Sequence, residues 1–355
     1  MRNLEKMQSI LTQGQVDALL LTSQVSRLYT AQYDVHEGVA VIGREKSYYF
    51  TDSRYIEVAQ ANLPAFEVKE MNRANSYPAL INGALEELGA KTLGIEEAYL
   101  TYAEYLSYEK SLNAQLVPCQ KEISKFRETK EDWEVENMIK AQEITDKAFA
   151  EICKVLRPGM TEKEAAAELI YCLLKSGSEG LAFDPIVVSG PNTSKPHGVP
   201  GERVMEYGDF ITMDFGAKVN GYCADMTRTV ALGFVSEEMS KVYDIVLRAQ
   251  ESAIAMTKAG RTGQEVDGAA RKLIEDAGYG PYFGHGYGHS VGLEIHEAPN
   301  CNFANTNPLE AGVVCSAEPG IYLPGKFGVR IEDVVVVTEE GCLDITKSPK
   351  NLTII

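Results

Sequence analysis

The 355-residue sequence lacks features that mark several large classes of protein. No apolar run approaches the roughly 18 residues of a transmembrane helix, and the first residues lack the apolar core of a signal peptide. The seven cysteines are odd in number, scattered and without a CxxC pair. This usage favours reduced, mostly buried thiols over a disulfide framework. We therefore expect a cytoplasmic protein with no membrane partner.

Positive charge is scarce in this chain. There are 34 Lys and Arg residues against 51 Asp and Glu, which gives a formal net charge of −17. Nucleic acids and anionic membranes bind clustered Lys and Arg, so no nucleic-acid partner is expected. The remaining composition, 45% hydrophobic and 24% charged, is that of an ordinary globular protein. The length allows two or three domains.

The pattern of predicted elements changes along the chain. Strands alternate with helices over residues 1–122, which predicts an α/β layer domain. Residues 123–355 begin with a long amphipathic helix and continue with further helices and several antiparallel hairpins, which predicts an α+β domain.

Four of the five histidines lie in two stretches rich in glycine and proline. His285, His289 and His296 fall within FGHGYGHSVGLEIHE, and His197 lies in SGPNTSKPHGVP. Glycine lets the backbone approach a ligand closely, so this pattern predicts imidazoles that converge on one site. A solvated, His-rich loop is the alternative.

A hairpin signature lies between two aspartates. Asn220-Gly221 predicts a two-residue turn that pairs Val219 with Tyr222. The same register places Asp214 opposite Thr227.

Asp225 then shares a face of the hairpin with Asp214. The two become diagonal neighbours, about 7–8 Å apart between backbones. Like charges held this close are costly unless a cation lies between them. A solvated face, or an ion pair of Asp225 with Arg228, is the alternative.

Two glutamates complete an acidic set. Glu318 precedes a Pro-Gly turn in AEPGIYLPG, and Glu332 enters a strongly apolar strand in VRIEDVVVV. A salt bridge to Arg330 is the alternative explanation for Glu332. Four carboxylates balance two divalent cations, and oxygen-rich ligation with one imidazole suits Mn²⁺, Co²⁺, Fe²⁺ or Zn²⁺. Two such ions about 3.5–4 Å apart can activate a water molecule.

In order and spacing, these residues resemble the five metal ligands of the pita-bread metallopeptidases: Asp214, Asp225, His289, Glu318 and Glu332. The blocks GHSVGLEIHE, EPGIY and VRIED are similar to those of the proline-specific branch, which contains aminopeptidase P and prolidase. The resemblance implies a creatinase-like N-terminal domain over 1–122 and a pita-bread catalytic domain over 123–355. The filled ligand positions disfavour a metal-free creatinase, and the extra domain disfavours a methionine aminopeptidase.

The resemblance also implies roles for single residues. Two divalent ions per chain are expected, Mn²⁺ first and Co²⁺, Zn²⁺ or Fe²⁺ as alternatives. Glu318 matches the proton shuttle, His296 the group that stabilises the oxyanion, and His197 a contact to the scissile bond. The expected substrate-binding residues are His285, Tyr287, Arg330 and His36.

Each substrate-binding residue has its own expected task. His285 lines the leaving-proline side, Tyr287 narrows the pocket, and Arg330 orients nearby carboxylates. His36 reaches the site of the partner subunit in a homodimer, with a plain surface histidine as the alternative.

The implied activity is hydrolysis of the bond between an N-terminal residue and proline in small peptides. Several prolidases carry, four residues after the second motif histidine, an Arg that binds the carboxylate of a dipeptide. Asn300 stands there in this sequence, which favours an Xaa-Pro aminopeptidase over a strict Xaa-Pro dipeptidase. A non-catalytic relative, or a hydrolase of other bonds on the same fold, stays open.

Overall fold

The computed structural model describes residues 2–355, apart from the side chain of Arg2. The chain forms two compact units, one that ends at Phe126 and one that spans Arg127–Ile355. The elements confirm the predicted α/β class of the first unit and the α+β class of the second.

The first unit is built around one six-stranded mixed sheet in the order β4-β3-β2-β1-β5-β6. Its elements are α1 (Arg2–Thr12), β1 (Ala18–Leu21), α2 (Gln24–Ala31), β2 (Val39–Ile42), β3 (Ser47–Asp52), α3 (Ile56–Asn62), β4 (Glu67–Met71), α4 (Tyr77–Leu88), β5 (Thr92–Ile95), α5 (Tyr102–Ser111), β6 (Gln115–Pro118) and α6 (Gln120–Lys125). Strands β1, β5 and β6 run parallel, whereas β2 is antiparallel to both neighbours.

The second unit contains a four-stranded sheet, a five-stranded sheet and two short hairpins. Its elements begin with α7 (Asp132–Ile152), α8 (Glu162–Lys175), β7 (Ile186–Ser189), β8 (Phe210–Phe215), β9 (Lys218–Val219), β10 (Tyr222–Cys223), β11 (Met226–Ala231), α9 (Glu237–Met256) and α10 (Gly263–Asp276). They continue with β12 (Gly288–Ser290), β13 (Glu297–Cys301), β14 (Val314–Ala317), β15 (Gly320–Leu323), β16 (Phe327–Arg330), β17 (Asp333–Val337), β18 (Cys342–Asp344) and β19 (Thr353–Ile354).

A separate pair of helices covers each of these two sheets. Apolar residues of α7 and α8 form one core with β7, β8 and β11, in sheet order β19-β11-β8-β7. Apolar residues of α9 and α10 form the other core with β14 and β17, in sheet order β13-β12-β14-β17-β18. A capping box at Thr161 starts α8. Each sheet thus has one face that its helix pair buries.

Hydrogen bonds join β11 to the stretch from Arg330, at the end of β16, to Glu332, just before β17. The N–H of Glu332 donates to the carbonyl of Thr227 at 3.0 Å, and the hydroxyl of Thr229 donates to the carbonyl of Arg330 at 3.0 Å. The far end of β11 pairs in parallel with β19. Strand β11 therefore contacts both this stretch and β19.

The predicted hairpin register is confirmed. Val219 pairs with Tyr222 and Asp214 with Thr227. The turn residues Asn220 and Gly221 have φ values of 50° and 79°, as a type I′ turn requires.

Gly216 lets the two strands of this hairpin approach each other between the aspartates. A Cβ at this position would lie 1.8 Å from the carbonyl oxygen of Ala224, and backbone cannot move aside as a flexible side chain can. Every larger residue would therefore push the strands apart.

None of the helices in the described residues combines the length and the apolarity needed to cross a bilayer. The seven cysteines form no disulfide within residues 2–355, and five of them are buried.

We expect Gly216→Ala to lower the free energy of unfolding by about 3 kcal/mol, because the new methyl group overlaps the Ala224 carbonyl. Chemical denaturation monitored by circular dichroism measures this. The control is Gly268→Ala inside α10, where a Cβ meets nothing within 4 Å, and which should stabilise by about 0.5–1 kcal/mol. Equal stability of the two variants would contradict the close approach.

Candidate active site

Five strands deliver the predicted metal ligands to one place. Asp214 lies in β8 and His289 in β12, whereas Asp225, Glu318 and Glu332 lie directly before β11, after β14 and before β17. All five line a single cavity of about 620 Å³. The chain therefore folds so that residues 118 positions apart (214 to 332) share one site.

Three of these residues lie close enough to hold one cation. The ligand atoms of Asp225, His289 and Glu332 all lie within 4.8 Å of one another. His289 Nε2 is also 3.4 Å from Glu318 Oε1. Asp214 Oδ1 is buried without a hydrogen-bond partner in the described part of the chain. Carboxylate oxygens with one imidazole are a donor set that fits a divalent metal ion.

The electrostatics of these side chains indicate a shortage of positive charge. Burial raises the pKa of Asp225 and of Glu332 well above the ordinary values, and the neighbouring carboxylates raise both further. Burial also raises the pKa of Glu318. Burial lowers the pKa of His289, which keeps a neutral, ligating imidazole at neutral pH. Divalent cations would bring the raised pKa values of the three carboxylates back down.

Hydroxyl groups hold two of the glutamates in place. Thr227 Oγ1 donates to Glu332 Oε2 at 2.6 Å, and Ser316 Oγ donates to Glu318 Oε1 at 3.1 Å. Ser316 Oγ also accepts the N–H of His289 at 3.0 Å. These hydroxyls orient the carboxylates and add no charge, as partners of metal ligands commonly do.

The structure decides between the alternatives left by the sequence. Asp225 is only 3% exposed, so a solvated face is excluded. Arg228 pairs with Asp333 at 2.7 Å instead of Asp225. Arg330 pairs with Asp214 at 2.7 Å, so the proposed salt bridge to Glu332 is wrong.

Four of the five histidines line the cavity, as the sequence pattern predicts: His197, His285, His289 and His296. The rings of His289 and His296 pack edge to face with centroids 4.3 Å apart. His285 Nε2 lies 2.8 Å from the hydroxyl of Tyr322, which accepts from Arg330 Nη1 at 3.0 Å. Burial lowers the pKa of both His285 and His296.

Tyr287 does not narrow the cavity, and this prediction is corrected. Its side chain is fully buried in the core that includes Cys301 and Cys315, and it does not line the cavity. The residues before Gly288 are not in a strand, so side chains do not alternate regularly there. The contribution of Tyr287 is its carbonyl, which accepts the N–H of Glu318 at 2.9 Å.

The cavity also has an apolar wall that was not predicted from the sequence. Phe183, Pro185 and Ile186 form it together with Val199 and Ile295. The Phe-Asp-Pro-Ile run just before and within β7 was the available signal, but nothing in it says which way the side chains face.

His36 lies in the N-terminal unit, whereas every residue that lines the cavity belongs to the C-terminal unit. Its side chain is 69% exposed, and Nδ1 lies 3.1 Å from Asp34 and 3.2 Å from Gln24. The role of His36 toward a partner subunit stays a prediction.

We expect Asp225→Asn to stabilise the metal-free protein by about 1–2 kcal/mol, because it removes one of several crowded buried charges. The same variant should lose the stabilisation that Mn²⁺ gives the unaltered chain, about 2.7 kcal/mol at a hundredfold excess over Kd. Denaturation with EDTA and with Mn²⁺ measures both.

The control for this variant is Asp333→Asn. Asp333 is equally buried but is paired with Arg228 and Lys350, which together lower its pKa. Its loss should destabilise the protein by about 3–5 kcal/mol. If Asp225→Asn were destabilising to the same degree, the crowding of charge at the site would be refuted.

The comparisons with known proteins agree with this geometry. The model of metallopeptidase family M24 matches residues 136–339, and that of the creatinase/prolidase N-terminal domain matches residues 3–129. The Xaa-Pro dipeptidase from Bacillus anthracis is 41% identical with a TM-score of 0.96, and the match covers 100% of this chain and 99% of that chain.

Two further relatives extend the comparison. The X-Pro aminopeptidase from Thermotoga maritima is 38% identical with a TM-score of 0.91, over 96% of this chain and 98% of that chain. The Xaa-Pro dipeptidase of Pyrococcus furiosus is 36% identical over 98% of this chain and 99% of its own length. The chain is thus a hydrolase that belongs to metallopeptidase family M24, and it carries the creatinase/prolidase N-terminal domain.

Proposed function

We propose that the chain is an exopeptidase that hydrolyses the bond between an N-terminal residue and proline. The observation that carries the proposal is one cavity in which five potential metal ligands meet three further histidines and an apolar wall. The relatives named Xaa-Pro dipeptidase and X-Pro aminopeptidase support the same bond specificity. The unit Arg127–Ile355 is the proposed catalytic domain.

Two divalent ions would be held by Asp225, His289 and Glu332 together with Asp214 and Glu318. Their oxygen-rich donor set and the unpartnered Asp214 Oδ1 support this assignment, with Mn²⁺ as the first choice and Co²⁺, Zn²⁺ or Fe²⁺ as alternatives. When bound, such ions polarise a carbonyl and make water nucleophilic at neutral pH.

The side chains around these ligands supply proton transfer and orientation. Glu318 would take a proton from the attacking water and pass it to the leaving nitrogen, and its side chain lines the same cavity as the other ligands. His296 would donate to the developing oxyanion, and His197 would contact the peptide at the scissile bond.

The apolar wall suits the leaving residue. A prolyl bond is a tertiary amide without an N–H donor, so its site needs apolar contact rather than a hydrogen-bond acceptor. Phe183, Pro185 and Ile186 supply such a surface, and His285 would border the same side of the cavity. Arg330 would act on the substrate only indirectly, because Asp214 engages it.

Peptide length is the finer part of the proposal. The dipeptidase relatives support Xaa-Pro dipeptides as the first substrate class. A longer Xaa-Pro peptide is the second candidate, because Asn300 offers no charge for a dipeptide carboxylate. Among the described residues that line the cavity, Arg330 is the single Lys or Arg, and it is already paired.

We also propose a cytoplasmic homodimer. Seven cysteines without a disulfide in the described residues suit a reducing compartment. The exposed His36, beside Asp34 in a loop with a positive φ, is available to a second copy of the chain.

A substrate panel tests the bond and the length together. With Mn²⁺ present, Xaa-Pro should be cleaved and Xaa-Ala should not, because only proline fills the apolar wall without presenting an N–H. Xaa-Pro-Yaa, compared with Xaa-Pro by chromatographic detection of the released residue, decides peptide length. Equal cleavage of Xaa-Pro and Xaa-Ala would refute proline specificity.

Single substitutions test the assigned roles. Glu318→Gln should lower kcat by about 10²–10⁴ and His296→Ala by about 10²–10³, because one removes proton transfer and the other an oxyanion donor. Steady-state kinetics on Xaa-Pro measures both. Lys272→Met, which removes an exposed ion pair with Asp276, is the control with unchanged kcat. Full activity of His296→Ala would remove that residue from the mechanism.

A further inference from the structure

A cluster of buried charges lies beneath the turn that carries His296. The Glu297 carboxylate accepts from Arg127 Nη1 at 2.9 Å and from Lys130 Nζ at 3.0 Å. These three side chains are 7% exposed or less. Arg127 Nη2 also lies 2.8 Å from Glu294 Oε2. The acidic residues on both sides of Ile295 and His296 are therefore held by the first residues of the C-terminal unit.

The Glu297 carboxylate fills the inside of this turn. Its Oε1 accepts the backbone N–H of Glu294 at 3.3 Å, and a Cβ on Gly292 would lie 2.4 Å from Oε2. The turn is joined to the neighbouring hairpin where the N–H of Cys223 donates to the carbonyl of Gly292 at 2.8 Å. The place of the Glu297 carboxylate thus sets the path of the backbone that presents His296.

The imidazole of His296 has few contacts of its own to fix it. It is exposed toward the cavity and packs against the ring of His289. Within residues 2–355 its ring nitrogens form no hydrogen bond with other side chains or with the backbone. Its position must therefore come from the backbone on either side.

Stability alone is a poor explanation for such a cluster. Removing charges from water costs several kcal/mol for each ion, and apolar side chains of similar volume often stabilise a protein equally well. Ion pairs do fix geometry, because a carboxylate shared by Arg127 and Lys130 has a single place in which both bonds are satisfied. The cluster is therefore better suited to holding a position than to adding stability.

We propose that Arg127, Lys130 and Glu297 are positioning residues that hold His296 at the reacting peptide bond. This inference rests on the oxyanion role proposed for His296. The cluster acts through the turn at 292–297 and not through the metal ligands. Weakening it should lower kcat and leave the affinity for divalent ions unchanged.

Lys130→Met tests the proposal, because it removes one of the two bonds to the buried carboxylate. We expect kcat on Xaa-Pro to fall by about tenfold to a hundredfold, as is typical when a residue that orients a functional side chain is replaced. Mn²⁺ affinity, measured by calorimetric titration of the metal-free protein, should stay within about twofold. Lys130→Arg, which keeps the charge, should recover most of the activity.

A double-mutant cycle with His296→Ala separates positioning from general damage. Lys130→Met should lower kcat by less than about twofold when His296 is already absent. The same coupling is expected for Arg127→Lys, a milder change that keeps the charge but cannot contact Glu294 and Glu297 together. This second variant keeps the cycle informative if Lys130→Met does not fold. The control is Arg261→Met, which removes the exposed pair with Glu265.

Each outcome of the cycle has a distinct meaning. A full multiplicative loss in the His296→Ala background, or a parallel loss of Mn²⁺ affinity, overturns the positioning role. An unaltered kcat in His296→Ala alone instead overturns the oxyanion role in the proposed function. Coupled loss with intact metal affinity supports both.

Discussion

The constraint on which the C-terminal unit depends is the crowding of buried carboxylates in a single cavity. Burial raises the pKa of Asp225 and of Glu332, Glu332 raises the pKa of Asp225 further, and Glu318 and Asp214 raise the pKa of both. Among the described residues, one cationic side chain, Arg330, forms an ion pair with a carboxylate of this set, and that carboxylate is Asp214. In the part of the chain that the structure describes, the other carboxylates have no cationic side chain paired with them, so the cavity favours a positively charged ligand. The fold must therefore hold these four carboxylates together although they repel one another.

The two sheets and their connections provide that restraint. A close strand approach at Gly216 and neutral hydroxyls at Thr227 and Ser316 fix the carboxylates without neutralising them. Nearby, Arg228 and Asp333 form a buried, satisfied pair one residue away from Glu332. Two adjacent buried acids therefore differ: Asp333 is neutralised by an arginine, whereas Glu332 has no cationic partner within residues 2–355 and is left for a ligand.

The metal ligands could be predicted from the sequence, whereas the side chains around them could be predicted only in part. The shared face of Asp214 and Asp225 followed from the turn at Asn220. A two-residue turn fixes which residues pair, and side chains alternate between the two faces of a strand. The convergence of the histidines followed from their glycine-rich context. Short-range rules were sufficient for both.

Predictions that needed side-chain direction were less successful. The family resemblance placed Tyr287 at the cavity, but the backbone there is irregular and the register of β12 shifts against β13. The partner of Arg330 and the apolar wall at Phe183 depend on contacts between distant segments, which local patterns do not encode.

The pairing of β11 with β19 has a consequence for how the protein is made. The strand that follows Asp225 gains its outer neighbour only at Thr353 and Ile354, and Glu332 comes more than a hundred residues after Asp225. A ribosome releases the chain from the N-terminus onward, so the first unit can fold while this sheet still lacks its edge. Capture of an ion by the full ligand set must therefore wait until the whole stretch from Asp214 to Glu332 has left the exit tunnel.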